Sequence, residues 1–202
     1  MINPELRLEI VALSEIPDGE EISNSYLGTD FQPTEARRSY LRENWYFDCR
    51  CLRCLDPTEC GSHLSSLVCP KPKCGQPVSS TNPLSNSAEW MCSFCSHTLS
   101  PNTVKSKLHV FEELIKRSPE IIDQDLVSQV EHYERVLHQM SFHLHQNHHL
   151  QIIVKQRLIS LYCCYKMLSS PARQRKLQLC HDLVNSISKV QLTKSKGVKS
   201  ED

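Results

Sequence analysis

Cys49-Arg50-Cys51-Leu52-Arg53-Cys54, then Cys69-Pro70-Lys71-Pro72-Lys73-Cys74, then Cys92-Ser93-Phe94-Cys95, is the stretch on which the reading of this sequence turns. In the second and third pieces, paired thiols are separated by four and two residues. Each pair can supply two adjacent corners of a tetrahedron from one tight loop. The interval between the pairs is that of zinc ribbons and knuckles, so Cys69, Cys74, Cys92 and Cys95 are expected to form one closed four-thiolate site. A closed site is structural, with no open position for water or substrate. The first piece is a triplet, Cys49, Cys51 and Cys54, offering three thiolates where a structural zinc takes four ligands. Cys60 and His63 are the local candidates for the fourth corner, and a ligand from another segment is the alternative. The ribbon is therefore expected to hold one zinc tightly, and the triplet to bind weakly in this chain alone.

The surroundings support metal over disulfides. Eight of the 11 cysteines fall between Cys49 and Cys95, and the other three are Cys163, Cys164 and Cys180. The count is odd and the close spacings are those of ligands, which in a reducing compartment favours a metal. Pro70, Pro72, Pro77 and Pro83 break any helix across residues 49–97, and large apolar residues are few there. Such a segment cannot offset its ordering entropy by burial alone.

Upstream, Leu6, Leu8, Ile10 and Ala12 share one face of an alternating run, the pattern of a half-buried strand. Pro17-Asp18-Gly19 is a turn signal, Glu20 to Ser25 reads as a second short strand, and Thr34 to Asn44 reads as a helix with Thr34 at its N-cap. Downstream the pattern becomes helical. Val104, Leu108, Phe111 and Ile115 form one apolar stripe. Ile122, Leu126, Val130, Tyr133, Leu137, Met140 and Leu144 form a second; Leu150, Val154, Leu158, Leu161, Tyr165 and Leu168 a third; Leu177, Cys180, Val184 and Ile187 a fourth. Pro119 and Pro171 fall near helix starts. Four amphipathic helices with short connectors predict antiparallel hairpins in a bundle or repeat array. Lys194 to Asp202 has Val198 as its single apolar residue and is expected to fray.

Composition limits the function classes. Hydrophobic residues make up 39% and charged residues 23% of the 202, an ordinary globular balance. Lys+Arg and Asp+Glu both number 23, so no basic excess points to nucleic acid, and Arg50, Arg53, Lys71 and Lys73 are offset by Asp48, Asp56 and Glu59. The opening MINPELRLEI has neither a basic n-region nor an apolar h-region, and Leu150 to Leu168 is interrupted by Lys155, Gln156 and Arg157, so neither a leader nor a membrane span is expected. His138, His143, His145, His148 and His149 lack catalytic metal spacing and are expected to be structural or solvated on a surface face; Cys163-Cys164 is expected to be packing.

One longer string carries a family resemblance. Gly19-Glu20-Glu21-Ile22, Ser25-Tyr26, Arg37-Arg38, Leu41 and Trp45-Tyr46-Phe47-Asp48-Cys49-x-Cys51-x2-Cys54 resemble, in order and spacing, the end of a SET domain running into its post-SET loop in the SET and MYND (SMYD) family. Asp56-Pro57-Thr58-Glu59 and the added Cys69/Cys74/Cys92/Cys95 cluster look most like the SMYD-like proteins of arthropods. The helices after Val104 are similar to that family's tetratricopeptide-like domain, and Leu144-His145-Gln146-Asn147-His148 stands where it often carries Leu-His-Pro-Asn-His.

The resemblance implies an α+β chain in four parts: 1–47 the end of SET, 48–100 the post-SET and zinc region, 101–192 a helical domain and 193–202 a disordered tail. It implies methyl transfer from S-adenosylmethionine to a lysine of a histone or another protein. Tyr26 matches the active-site tyrosine, Phe47 the aromatic near the cofactor, and Trp45 and Tyr46 the wall of the lysine channel. In this family an Asn-His-x-Cys-x-Pro-Asn segment helps bind the cofactor and gives the fourth ligand to the triplet. The 202 residues hold no such segment, so the chain by itself is expected to be inactive. A monomer with protein partners, in the cytoplasm or nucleus and acting in transcription regulation, is expected. The competing readings are a non-catalytic zinc and helical interaction module and a zinc-ribbon nucleic-acid binder.

Overall fold

The structure, a computed structural model, describes residues 11–12, 15–19, 25–28, 31–117, 126–164 and 169–196, the last six by backbone alone. The strand expected over residues 6–12 and that over Glu20 to Ser25 lie almost wholly outside these, as do Pro119, Ile122, Tyr165 and Leu168. The Pro17-Asp18-Gly19 turn is present, with Gly19 at φ 83.

The described residues form a small sheet and mostly helices, an α+β arrangement. Helix α1 spans Thr34–Trp45. Its N-cap is Pro33, not Thr34: the chain is already helical at Thr34, whose hydroxyl accepts from the Arg37 side chain instead of from a backbone amide. The helix ends at Tyr46, in the left-handed region at φ 58. A single helical turn, α2 (Leu52–Leu55), follows.

The cysteine-rich segment then forms a four-stranded antiparallel sheet in chain order: β1 (Leu67–Val68), β2 (Pro77–Ser80), β3 (Trp90–Cys92) and β4 (Thr98–Leu99). Val78 pairs with Leu67 on one side and Cys92 on the other. These strands are too short for alternation to mark them in the sequence, and Pro77 opens β2, at the strand's first residue, where the missing N–H does little harm.

Helices α3 (Pro101–Lys116), α4 (Leu126–Ser141), α5 (His149–Cys164) and α6 (Ser170–Lys196) complete the chain. Ser100 caps α3, its hydroxyl accepting from the Thr103 amide, with Pro101 at the first turn. The first three helical stripes face inward: Val104 and Phe111, then Tyr133, Leu137 and Met140, then Leu150, Val154, Leu158 and Leu161 are buried in one cluster with Leu67, Val78 and Cys92 of the sheet. The fourth does not. Leu177 and Val184 are exposed, and α6 buries Leu179, Ser186 and Val190, with Leu183 packed beside them. Both faces of α6 carry apolar residues, and periodicity alone chose the wrong one. Ser186 is the reason: its one hydroxyl proton is shared between Asn147 Oδ1 and the Asp182 carbonyl, so a polar residue sits on the inner face without an unmade bond.

The turn between α4 and α5 joins sheet to helices. Leu144 bridges Leu67, the Val68 amide donates to the His143 carbonyl at 2.9 Å, and the His145 amide donates to Ser66 at 3.0 Å. The expected surface row of histidines is thereby corrected. His145 and His148 belong to this turn, and the His148 residue is fully buried because the turn is pressed onto β1. Cys163 and Cys164, expected to pack, are both exposed on α5.

Candidate metal centres and aromatic site

The ribbon site follows from the sheet. β1 and β3 deliver Cys69 and Cys92 at their ends, and the tight turns after them deliver Cys74 and Cys95. Lys73 and Ser96 take positive φ (63 and 54) and Gly75 follows at 60, the sharp bends that turn two sulfurs toward one point. All four sulfurs lie within 4.8 Å of one another. Cys69 Sγ is 3.6 Å from Cys95 Sγ, and Cys74 Sγ is 3.7 Å from Cys92 Sγ. Tetrahedral zinc–thiolate bonds of about 2.3 Å would separate their sulfurs by about 3.8 Å. The fit is that of a metal, and no disulfide joins these cysteines.

The four thiols differ in their surroundings. Burial pushes Cys69 up to about 12, against the pull of the Lys71 amide. At Cys92 burial is outweighed by the amides of Cys95 and Phe94 together with the adjoining thiols, leaving it at about 7. The Gln76 amide reaches Cys74 in the same way, although burial and the Cys95 and Cys92 thiols leave that thiol raised. Backbone N–H groups thus bond the sulfurs from outside, the usual outer shell of a thiolate site.

The triplet is differently made. Cys51 is the N-cap of α2 and Cys54 lies one helical turn on, with its amide bonded to the Cys51 carbonyl at 2.8 Å. Cys49 joins them from the preceding extended chain, and the three sulfurs also lie within 4.8 Å of one another. Hydrogen bonds with Cys49 and Cys54 hold the Cys51 thiol far below its ordinary value, while bonds with Cys49 and Cys51 push Cys54 up. Among the described residues no fourth ligand joins them. His63 is engaged elsewhere, its Nδ1 3.0 Å from Ser66 Oγ and its ring against His145. Cys60 stays outside the cluster, its amide held by the Asp56 carboxylate at 2.9 Å.

Two arginines of α1 hold this loop, a role the sequence reading did not assign them. Arg37 is buried, pairs with Glu59 at 2.7 Å, and donates to the Gln32 carbonyl, Thr34 Oγ1 and Cys54 Sγ, the last at 3.7 Å. Glu59 is buried as well and accepts from Ser65. Arg38 donates to the Cys49 carbonyl at 3.2 Å and to the Leu84 carbonyl of the β2–β3 loop at 3.0 Å. A buried cation thus stands beside the buried thiol of an otherwise open cluster.

The aromatic residues gather next to it. Tyr26 packs at a tilt of 57° against Trp45 with centroids 4.9 Å apart and meets Phe47 edge-on at 5.7 Å. The patch is open, Tyr26 being 50% exposed. Tyr46 is not part of it: the left-handed cap turns it outward and it is 88% exposed.

No family model matches the chain. It is 33% identical over 102 residues to SET domain-containing protein SmydA-8, isoform B, of Drosophila melanogaster, covering 50% of this chain and 22% of that protein. It is 37% identical over 73 residues to histone-lysine N-methyltransferase Smyd1 of Mus musculus, covering 36% and 14% respectively. The human protein SMYD1 matches at 40% over 55 residues, 27% of this chain and 11% of that protein. By sequence the chain is SMYD-like over about half its length, and the matched stretch spans about a fifth or less of the relatives' own length. No helix of the described residues is long and apolar enough to cross a membrane.

Proposed function

We propose that this chain carries the distal part of a protein-lysine methyltransferase: the end of a SET domain, its zinc-bound post-SET loop and a tetratricopeptide-like helical domain. The observation that supports this best is the meeting of Tyr26 with Trp45 and Phe47 immediately before the Cys49/Cys51/Cys54 loop, in a chain similar to two named histone-lysine methyltransferases.

S-adenosylmethionine, when bound, supplies an electrophilic methyl group. In this reading Phe47 packs against the cofactor and Trp45 lines the lysine channel, whereas Tyr46, turned outward at the end of α1, stands outside it. An aromatic wall favours an amine that arrives charged or partly methylated. Once the amine has lost its proton to solvent, the Tyr26 hydroxyl oxygen accepts from its N–H and leaves the lone pair free and directed at the methyl group, which is catalysis by positioning. Zinc in the triplet holds the loop that carries Phe47, and zinc in the ribbon is structural. The substrate is a lysine of a histone or another protein, encountered in the cytoplasm or nucleus by a monomeric protein acting in transcription regulation.

An Asn-His-x-Cys segment would complete both the cofactor pocket and the triplet, and these 202 residues lack one. The chain alone is therefore expected to transfer no labelled methyl group from S-adenosylmethionine to histones. Sequencing the transcript upstream of the Met1 codon tests the reading. An upstream Asn-His-x-Cys, with a longer product whose transfer is abolished by Tyr26→Phe, bears it out. A longer product that has the motif yet transfers nothing leaves a non-catalytic zinc and helical interaction module.

A further inference from the structure

The aromatic patch and the two thiol clusters leave one concave site unused. A cavity of about 430 Å³ opens between the start of α1, the loop after α2, the β2–β3 loop, α3 and the turn before α5. Its volume is that of a ligand pocket. Neither the zinc-site cysteines nor Tyr26, Trp45 or Phe47 line it.

Its charges are unbalanced. Glu35, Glu59 and Glu112 line it, against Lys105. Glu59 is neutralised by Arg37. Among the described residues neither Glu35 nor Glu112 makes an ion pair, so two carboxylates face one ammonium group. Trp90 of β3 adds an aromatic wall, and a cation over an indole face is attracted more as water is excluded.

His148 adds a donor. It lines the same cavity and is fully buried. Its Nδ1 accepts from the Leu150 amide at 3.2 Å, which places the ring proton on Nε2, and Nε2 has no hydrogen-bond partner. A buried N–H without an acceptor is costly, and a ligand carbonyl there would relieve it.

We propose that this cavity is a binding site for a basic segment of an extended peptide. A Lys or Arg side chain meets the Glu35 and Glu112 carboxylates beside Trp90, and a peptide carbonyl of the same segment accepts from His148 Nε2. The site is separate from the lysine channel and needs no methyl donor, so it stands or falls independently of the methyltransferase reading.

Trp45 and Trp90 are the chain's two tryptophans, so Trp45→Phe leaves Trp90 as the sole reporter. The zinc-loaded Trp45→Phe chain is titrated with an eight-residue peptide of alternating Arg and Ala, with its Glu counterpart, and with n-butylguanidinium, which has the cation but no carbonyl. The Arg peptide is expected to shift Trp90 emission saturably. Both comparators are expected to bind at least about tenfold more weakly, and Glu35→Gln/Glu112→Gln to weaken the Arg peptide about tenfold. Glu35 is exposed and Glu112 half-buried, so the double variant is expected to keep the fold, which far-UV circular dichroism checks. No saturable response, equal binding of the Glu peptide, or unchanged affinity in the double variant overturns the site. Equal binding of n-butylguanidinium overturns the role of the peptide carbonyl.

Discussion

The two thiol clusters stand within one 50-residue segment and solve the same problem differently. The ribbon is closed by its own chain: four sulfurs, four short strands and backbone amides aimed at the thiolates. The triplet has three sulfurs and borrows its order from elsewhere, through Arg37 on Cys54 and Arg38 on the Cys49 carbonyl. A site that completes itself can fold with its metal as one event. A site that does not must be held by contacts from the rest of the chain already in place, which would leave a bound metal exchangeable.

The sharpest way to break this comparison is Cys92→Ser. A structural zinc in a core-poor segment contributes most of that segment's folding free energy, about 10 kcal/mol or more. Loss of the tightly held zinc and of dispersed amide signals for residues 67–99 is expected, by metal analysis and NMR. Retention of both would show that the sheet stands without its metal. Next in size is Arg37→Met. Removing one partner of a buried ion pair costs about 3–5 kcal/mol because Glu59 is left uncompensated. Chemical denaturation is expected to show that loss together with weaker zinc at the triplet, the ribbon's zinc being unchanged. Equal loss at both sites would mean that the clusters are not independent.

A smaller effect is expected from acid. Burial, then His63, Lys189 and Lys155, lower His145 from 6.5 to about 4. Between those values the unfolded chain binds the proton and the folded chain does not, so stability rises with pH across about 4 to 6.5 and falls as acid is added. Thiolate sites also lose metal in acid, so denaturation is compared between wild type and His145→Gln at saturating zinc. The variant is expected to lose up to one proton of slope, and identical slopes would place the titration elsewhere. The smallest effect belongs to Cys60→Ser. Because Cys60 lies outside the triplet, zinc content is expected to be unchanged; a drop would return Cys60 to the coordination sphere.

Which cysteines gather was the most legible part. Cysteine spacing alone pairs Cys69 and Cys74 with Cys92 and Cys95, because a metal site is written in a few local residues. Three of the four helical stripes were also readable, as Met140 and Val154 show. The strands were not: β1 and β4 are two residues long, below the length at which alternation can be seen. The inner face of α6 was hidden because its decisive residue, Ser186, is polar and depends on Asn147 for a partner. The role of Arg37 and Glu59 was out of reach too. A buried charge looks like any surface charge in a sequence until its partner, 22 residues away, is known.

The bridge from Leu67 to Leu144 has a further consequence. β1 is an outer strand of the sheet, and an outer strand with free amides and carbonyls is a template for another molecule's backbone. The α4–α5 turn occupies those groups from within the same chain, and at the opposite edge β4 is only two residues long before the chain turns into α3. The turn therefore takes up the edge groups that another molecule's strand would otherwise need, so the fold closes its own sheet on that side.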